Sequence, residues 1–79
     1  MRTDRIELYR SGLLRKFYWR YVHWNGNILA DSGQGYGSKE DALQGALTVT
    51  GTEHYREEGV FAGVDRIGGE RRVKLVDLT

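Results

Sequence analysis

A chain of 79 residues with no cysteine, no proline and 11 glycines has the size of one small domain spanning residues 1–79, which excludes a two-domain enzyme. Twelve basic against eleven acidic residues leave a net charge of +1, so there is no global attraction for nucleic acid or membrane, and any such contact has to be local. Without cysteine neither a disulfide nor a thiolate metal site can support so small a core, and oligomerisation is the expected extra support.

No apolar run approaches the roughly 18 residues of a membrane span, and Met1 to Arg5 leads into alternating sequence rather than an apolar targeting segment. The reading is a cytoplasmic protein with no membrane partner, and the lack of cysteine fits a reducing compartment.

In Arg5 to Arg10, Ile6 and Leu8 alternate with Glu7 and Tyr9 at the period of a half-buried strand, which Ser11-Gly12 ends. Lys16 to Trp24 is dense in aromatic and β-favouring residues and stops at Asn25-Gly26, the strongest short hairpin signal. The third strand then runs from Asn27 to Ser32. A two-residue loop at Asn25-Gly26 pairs Trp24 with Asn27, His23 with Ile28, Val22 with Leu29, Tyr21 with Ala30 and Arg20 with Asp31. One face then carries Phe17, Trp19, Tyr21, His23, Ile28 and Ala30, enough to hold a helix. The other carries Tyr18, Arg20, Val22, Trp24, Leu29 and Asp31.

Gly33-Gln34-Gly35-Tyr36-Gly37 leads to Ser38, whose hydroxyl can cap a helix starting at Lys39, with Glu40 and Asp41 in its first turn. Ala42, Leu43, Ala46, Leu47 and Thr50 form its apolar stripe, and Gly51 is a natural stop. Gly45 inside this helix costs about 1 kcal/mol against Ala, which points to a close approach of helix to sheet that a side chain would block. Thr52 to Glu58 reads as a short helix or a loop. Val60 to Ile67 and Arg72 to Leu78 flank Gly68-Gly69 as a glycine-turn hairpin or two short strands.

This order of elements resembles the YegP-like family, small bacterial and archaeal domains of unknown function. The resemblance is carried by Ile6-Glu7-Leu8-Tyr9, Phe17-Tyr18-Trp19-Arg20-Tyr21 and Asn25-Gly26-Asn27-Ile28-Leu29-Ala30. It continues through Ser32-Gly33, Gly35-Tyr36, Ser38-Lys39, Ala42, Gly45 and Val49. It implies an α+β fold in which a three-stranded antiparallel sheet packs on one helix in residues 5–51, with additional strands in a C-terminal extension over 52–79. Because this chain holds one copy of a unit that occurs in tandem or as paired chains, the resemblance also implies a homodimer. Tyr21 stands where the family usually has an aliphatic residue, and Ala46 where isoleucine is common. The family supplies no catalytic residues to carry over.

Three candidate sites stand against plainer readings. The glycine loop before Ser38, with Gly35 and Lys39, resembles an anion cradle at a helix N-terminus, against a loop that needs glycine for its backbone; the spacing matches neither a dinucleotide fingerprint nor a P-loop. Tyr18, Arg20 and Trp24 with Arg71, Arg72 and Lys74 form a candidate stacking and phosphate-contact surface for single-stranded nucleic acid. Against this, Tyr18, Val22, Trp24 and Leu29 form an apolar patch that reads better as a dimer or partner surface. His23 and His54, with no cysteine to join them, do not make a zinc site. A triad assembled from Ser32 or Ser38 with a histidine and Asp31 is what any chain of this size offers by chance. The leading reading is a non-enzymatic, cofactor-free, dimeric protein-interaction module. A nucleic-acid-binding accessory protein is the runner-up, and a phage-encoded protein acting on a host partner is a third reading.

Overall fold

The computed structural model describes residues 3–13, 15–64 and 68–79. Strands β1 (Asp4–Arg10), β2 (Phe17–Val22) and β3 (Ile28–Asp31) precede helix α1 (Lys39–Thr50), and strands β4 (His54–Glu57), β5 (Val60–Val64) and β6 (Glu70–Asp77) follow it. The α+β class is as expected, but the sheet is larger than the three strands read from the sequence. It has six strands in the order β3-β2-β1-β6-β5-β4. The residues of the C-terminal extension form its second half, with β6 beside β1 in parallel register, Ile6 opposite Leu75. All other neighbours are antiparallel. The polar stretch after Thr52 is thus an edge strand, neither helix nor loop. Gly68-Gly69 lies between β5 and β6 as the hairpin reading requires, whereas the end of the predicted strand at Asp65, Arg66 and Ile67 falls outside the described residues.

The hairpin turn differs from the sequence reading by one residue. The Gly26 amide donates to the His23 carbonyl and the His23 amide to the Asn27 carbonyl, so the loop is Trp24-Asn25-Gly26, with Gly26 at φ 94°. A three-residue loop with its last residue left-handed is the next commonest hairpin after the two-residue form. His23 therefore faces Asn27, and Ile28 pairs with Val22 instead of His23. A bulge at Leu29 absorbs the slip, so that Tyr21–Ala30 and Arg20–Asp31 pair as expected.

One sheet face carries the core: Ile6, Leu8, Trp19, Tyr21 and Val73 pack against Ala42, Ala46 and Leu47 of α1. The helix lies over β2 and β1. It starts where Ser38 accepts a hydrogen bond from the Asp41 amide and ends at Gly51 with φ 70°, as its sequence signals require. Tyr21 keeps its ring in the core while its hydroxyl donates to Asp4 Oδ2 at 2.7 Å. The Trp19 Nε1 is buried with no acceptor among the described residues, a cost of roughly 1–3 kcal/mol borne by the largest side chain in the core.

Two glycines mark close approaches. At Gly45 the crowding group is the Tyr36 ring from the glycine-rich loop, not the sheet itself: a Cβ would lie 2.8 Å from Tyr36 Cζ and nearer still to the hydroxyl. Tyr36 is held there by reciprocal backbone bonds with Phe17. At Gly63 in β5, a Cβ would run into the Gly51 carbonyl, where the chain leaves α1 to cross toward β4. The expected outcome is that Gly45→Ala lowers stability in urea denaturation despite the helix propensity it adds, and that the same change in a Tyr36→Ala background raises it. A stabilising Gly45→Ala in the otherwise unaltered chain would contradict this packing.

Candidate functional site

Alternation along the strands sends Glu7, Tyr9, Tyr18 and Arg20 to the face away from α1. Glu7 is 8% exposed as a residue, and its carboxylate is held by Arg5 Nε at 2.6 Å and Arg20 Nε at 2.5 Å. Arg20 also lies over the Tyr9 ring at 4.9 Å, and Tyr9 stacks on Tyr18 with centroids 5.5 Å apart. The far side of Tyr18 abuts Gly35, where a Cβ would come within 3.0 Å of its ring and 2.6 Å of Lys16 Cβ. Gly35 is thus required by packing. Further along the same face Glu70 binds both Arg56 and Arg72.

These contacts rearrange the predicted nucleic-acid surface. Arg72 and Lys74 do share the uncovered face with Tyr18 and Arg20, but Arg71 points to the other face and donates to the Thr50 carbonyl at the end of α1. Trp24 sits in the turn, tilted against His23, with its amide bonded to Asp4. The Tyr9–Tyr18 stack is flanked by Arg20 and Gly35, and four of the face's arginines share two carboxylates. At the glycine loop, the Ser38 hydroxyl is occupied by the Asp41 amide, and Lys39 binds Asp77 at 2.8 Å, tying the start of α1 to the end of β6.

The predicted apolar patch is not one surface. Val22 is 2% exposed, because Arg5 and Ile28 flank it on neighbouring strands, and Tyr18 is half-buried in its stack. Leu29 remains exposed at the bulge, on the side of Val49 of α1, and Ile28 is exposed on the other face beside Val22. Leu29, Ala30, Tyr21, Val49, Thr50 and Arg71 line a groove of about 250 Å³ between the β3 edge and the last turn of α1. Sequence reading paired Leu29 with Val22 and placed both on one face with Trp24; the bulge that turns Leu29 toward the helix has no signal in composition or alternation.

A second uncovered strip lies on the helix side of β4 to β6. Val73, Phe61 and Tyr55 are register partners on three successive strands, yet α1 lies chiefly over β2 and β1. Phe61 and Leu75 are half-buried at the margin of the core, and Tyr55 is exposed with its ring edge-on to Phe61. Neither residue of this strip on β4 and β5 was singled out from the sequence, since the polar neighbours of Tyr55 conceal the strand.

His23 lies at the turn end of the β2–β3 hairpin and Ser32 at its other end, bonded to the Trp19 carbonyl, while His54 is on β4 at the far edge of the sheet. Among the described residues no three His, Asp or Glu side chains are placed to hold a metal ion, and no helix is long and apolar enough to cross a membrane.

Arg5 and then Arg20 hold the Glu7 carboxyl below its usual range, although burial opposes them, and Lys39 followed by the Thr79 hydroxyl and amide holds Asp77 down at about 2. Both groups bind protons more weakly folded than unfolded, so their stabilisation is complete above the ordinary carboxylate pKa and is lost as pH falls through the folded values. Stability measured by denaturant midpoint is expected to fall from about pH 4 to about pH 2, and Asp77→Asn to make that fall shallower. A flat profile for the unaltered protein would contradict these ion pairs.

A family model described as a domain of unknown function (DUF1508) matches residues 15–52. The chain is similar to a protein from Haloferax volcanii with an NMR solution structure: 48% identity and a TM-score of 0.55, covering 63% of this chain and 82% of the other. No curated protein matches. With its aromatic strand, glycine-tyrosine loop and capped helix inside the matched segment, the chain belongs to the YegP-like family of DUF1508 domains.

Proposed function

We propose that this chain is a non-enzymatic, homodimeric protein-interaction module. The observation that carries the reading is the half-roofed sheet: α1 covers β2 and β1, while Tyr55, Phe61 and Leu75 continue the core face without a helix above them. The neighbouring edge strand is suited to a second copy. Paired antiparallel with itself about a two-fold axis at Tyr55, β4 sets the two Tyr55 rings opposite each other on the helix side of the sheet, where they extend the Phe61 strip. All four residues of β4 are exposed, so the pairing disturbs no core contact. Two-fold closure ends the assembly at two chains.

Nucleic-acid binding has less support. Arg5, Arg20, Arg56 and Arg72 are engaged by Glu7 and Glu70, and the tyrosines of the uncovered face are stacked on one another between Arg20 and Gly35. A strand of bases would have to break these contacts before stacking or pairing with phosphate.

Sedimentation of the pure protein at low and high salt is expected to give a concentration-dependent dimer that ignores ionic strength and an added mixed oligonucleotide. Tyr55→Asp is expected to yield a folded monomer whose melting temperature no longer rises with protein concentration, because the residue is 66% exposed. A protein that stays monomeric at every concentration, or a Tyr55→Asp dimer, would overturn the proposed interface. Co-sedimentation with the oligonucleotide at low salt alone would favour the uncovered basic face.

A further inference from the structure

We infer that the groove between β3 and α1 is a docking site for the carboxyl terminus of an extended peptide ending in an aliphatic residue. The inference rests on the protein-interaction reading above and names the chemistry of the partner at the sheet edge opposite the proposed dimer.

Three features of the groove converge. Its outer wall is the last strand of the sheet, so one side of the β3 backbone has no strand neighbour, and an incoming extended segment can continue the ladder. Its sides are apolar and open to solvent: Leu29 is 59% exposed and Val49 65%, while Ala30 and Tyr21 complete the lining. At about 250 Å³ the space is below that of sites for drug-sized ligands and fits one or two side chains.

The third feature sets the chemistry. Arg71 lines the groove with its guanidinium, which gives one hydrogen bond to the Thr50 carbonyl, and no described residue brings a carboxylate within ion-pair distance of it. Its neighbour on β6, Arg72, is bound to Glu70. The acid beside Tyr21, Asp4, is occupied by the Tyr21 hydroxyl and the Trp24 amide. A guanidinium has five N–H donors in a planar fork, so Arg71 retains donors suited to a carboxylate. An apolar slot beside an open strand edge, with such a cation at its lining, fits a terminal carboxylate whose own side chain seats between Leu29 and Val49. A side-chain carboxylate on a continuing strand would carry its backbone past the groove.

The test is affinity selection from a synthetic hexapeptide pool with free carboxyl termini and randomised last positions. Recovered peptides are read by mass spectrometry and measured singly by fluorescence polarisation. The expected result is enrichment of aliphatic final residues, with binding weakened about tenfold or more when the same peptides are amidated. Arg71→Ala is expected to weaken binding at least as much, Arg71→Lys less. Val49→Asp, on an exposed position that leaves the helix cap intact, is expected to abolish binding with an unchanged melting temperature. A pool that returns no peptide, or peptides that bind equally well as amides or to Val49→Asp, would overturn the inference. The dimer in sedimentation would still stand in that case, and its Tyr55→Asp variant should bind the selected peptides as the unaltered protein does.

Discussion

The parallel pairing of β1 with β6 is the constraint on which the rest of the structure depends. It joins two antiparallel meanders, β1 to β3 and β4 to β6, that are separated in the chain by the whole of α1. Neither meander has a closed core alone. Ile6 and Leu8 lie against Trp19 and Tyr21 on one side and need Val73 and Leu75 on the other, and Val73 is fully buried only because β1 stands beside it. The Lys39–Asp77 pair and the close contact of Gly63 with Gly51 then fix the second meander to both ends of the helix.

That arrangement also decides which surfaces are left for partners. One helix cannot roof six strands, so the core face runs out from under α1 at both margins: toward β4, where Phe61 is half-buried and Tyr55 exposed, and toward β3, where Leu29 and Val49 face a groove. The opposite face of the sheet follows a different logic. Its charges and rings are satisfied internally by the chain Arg5–Glu7–Arg20–Tyr9–Tyr18 and by Glu70 between Arg56 and Arg72. A surface that satisfies its own polar groups has little to gain from a ligand, whereas the two apolar margins gain by being covered. Interaction at the edges of the sheet is therefore the reading that the distribution of contacts favours.

Much of the first half was legible because its signals are local. Alternation in Ile6-Glu7-Leu8, the Ser38 cap, the Ala42-Ala46-Leu47 stripe and Gly51 each depend on residues within one turn or one strand. The crowding at Gly45 was legible as a close approach, but its cause, the Tyr36 ring, requires knowing how the glycine loop folds back on Phe17. The turn was misread by one residue because Asn25-Gly26 serves a three-residue loop as well as a two-residue one, and Asp4 from another strand holds the Trp24 amide in the observed form. From that slip came the misplaced patch, since Val22 is buried and Trp24 leaves the strand. The second meander was the least legible: β4 has no apolar alternation, and a parallel partner sixty-odd residues away leaves no trace in local pattern.

The most direct test of the account is native-state amide hydrogen exchange on the full chain, resolved by residue. If the sheet is one unit built on β1 and β6, the amides of Ile6, Leu8, Val73 and Leu75 exchange only with global unfolding and share one free energy of opening, while the edges at β3 and β4 exchange sooner. A faster, independent opening of residues 70–77, with residues 4–50 still protected, would mean that the C-terminal strands are an appendage and that the joined sheet is wrong.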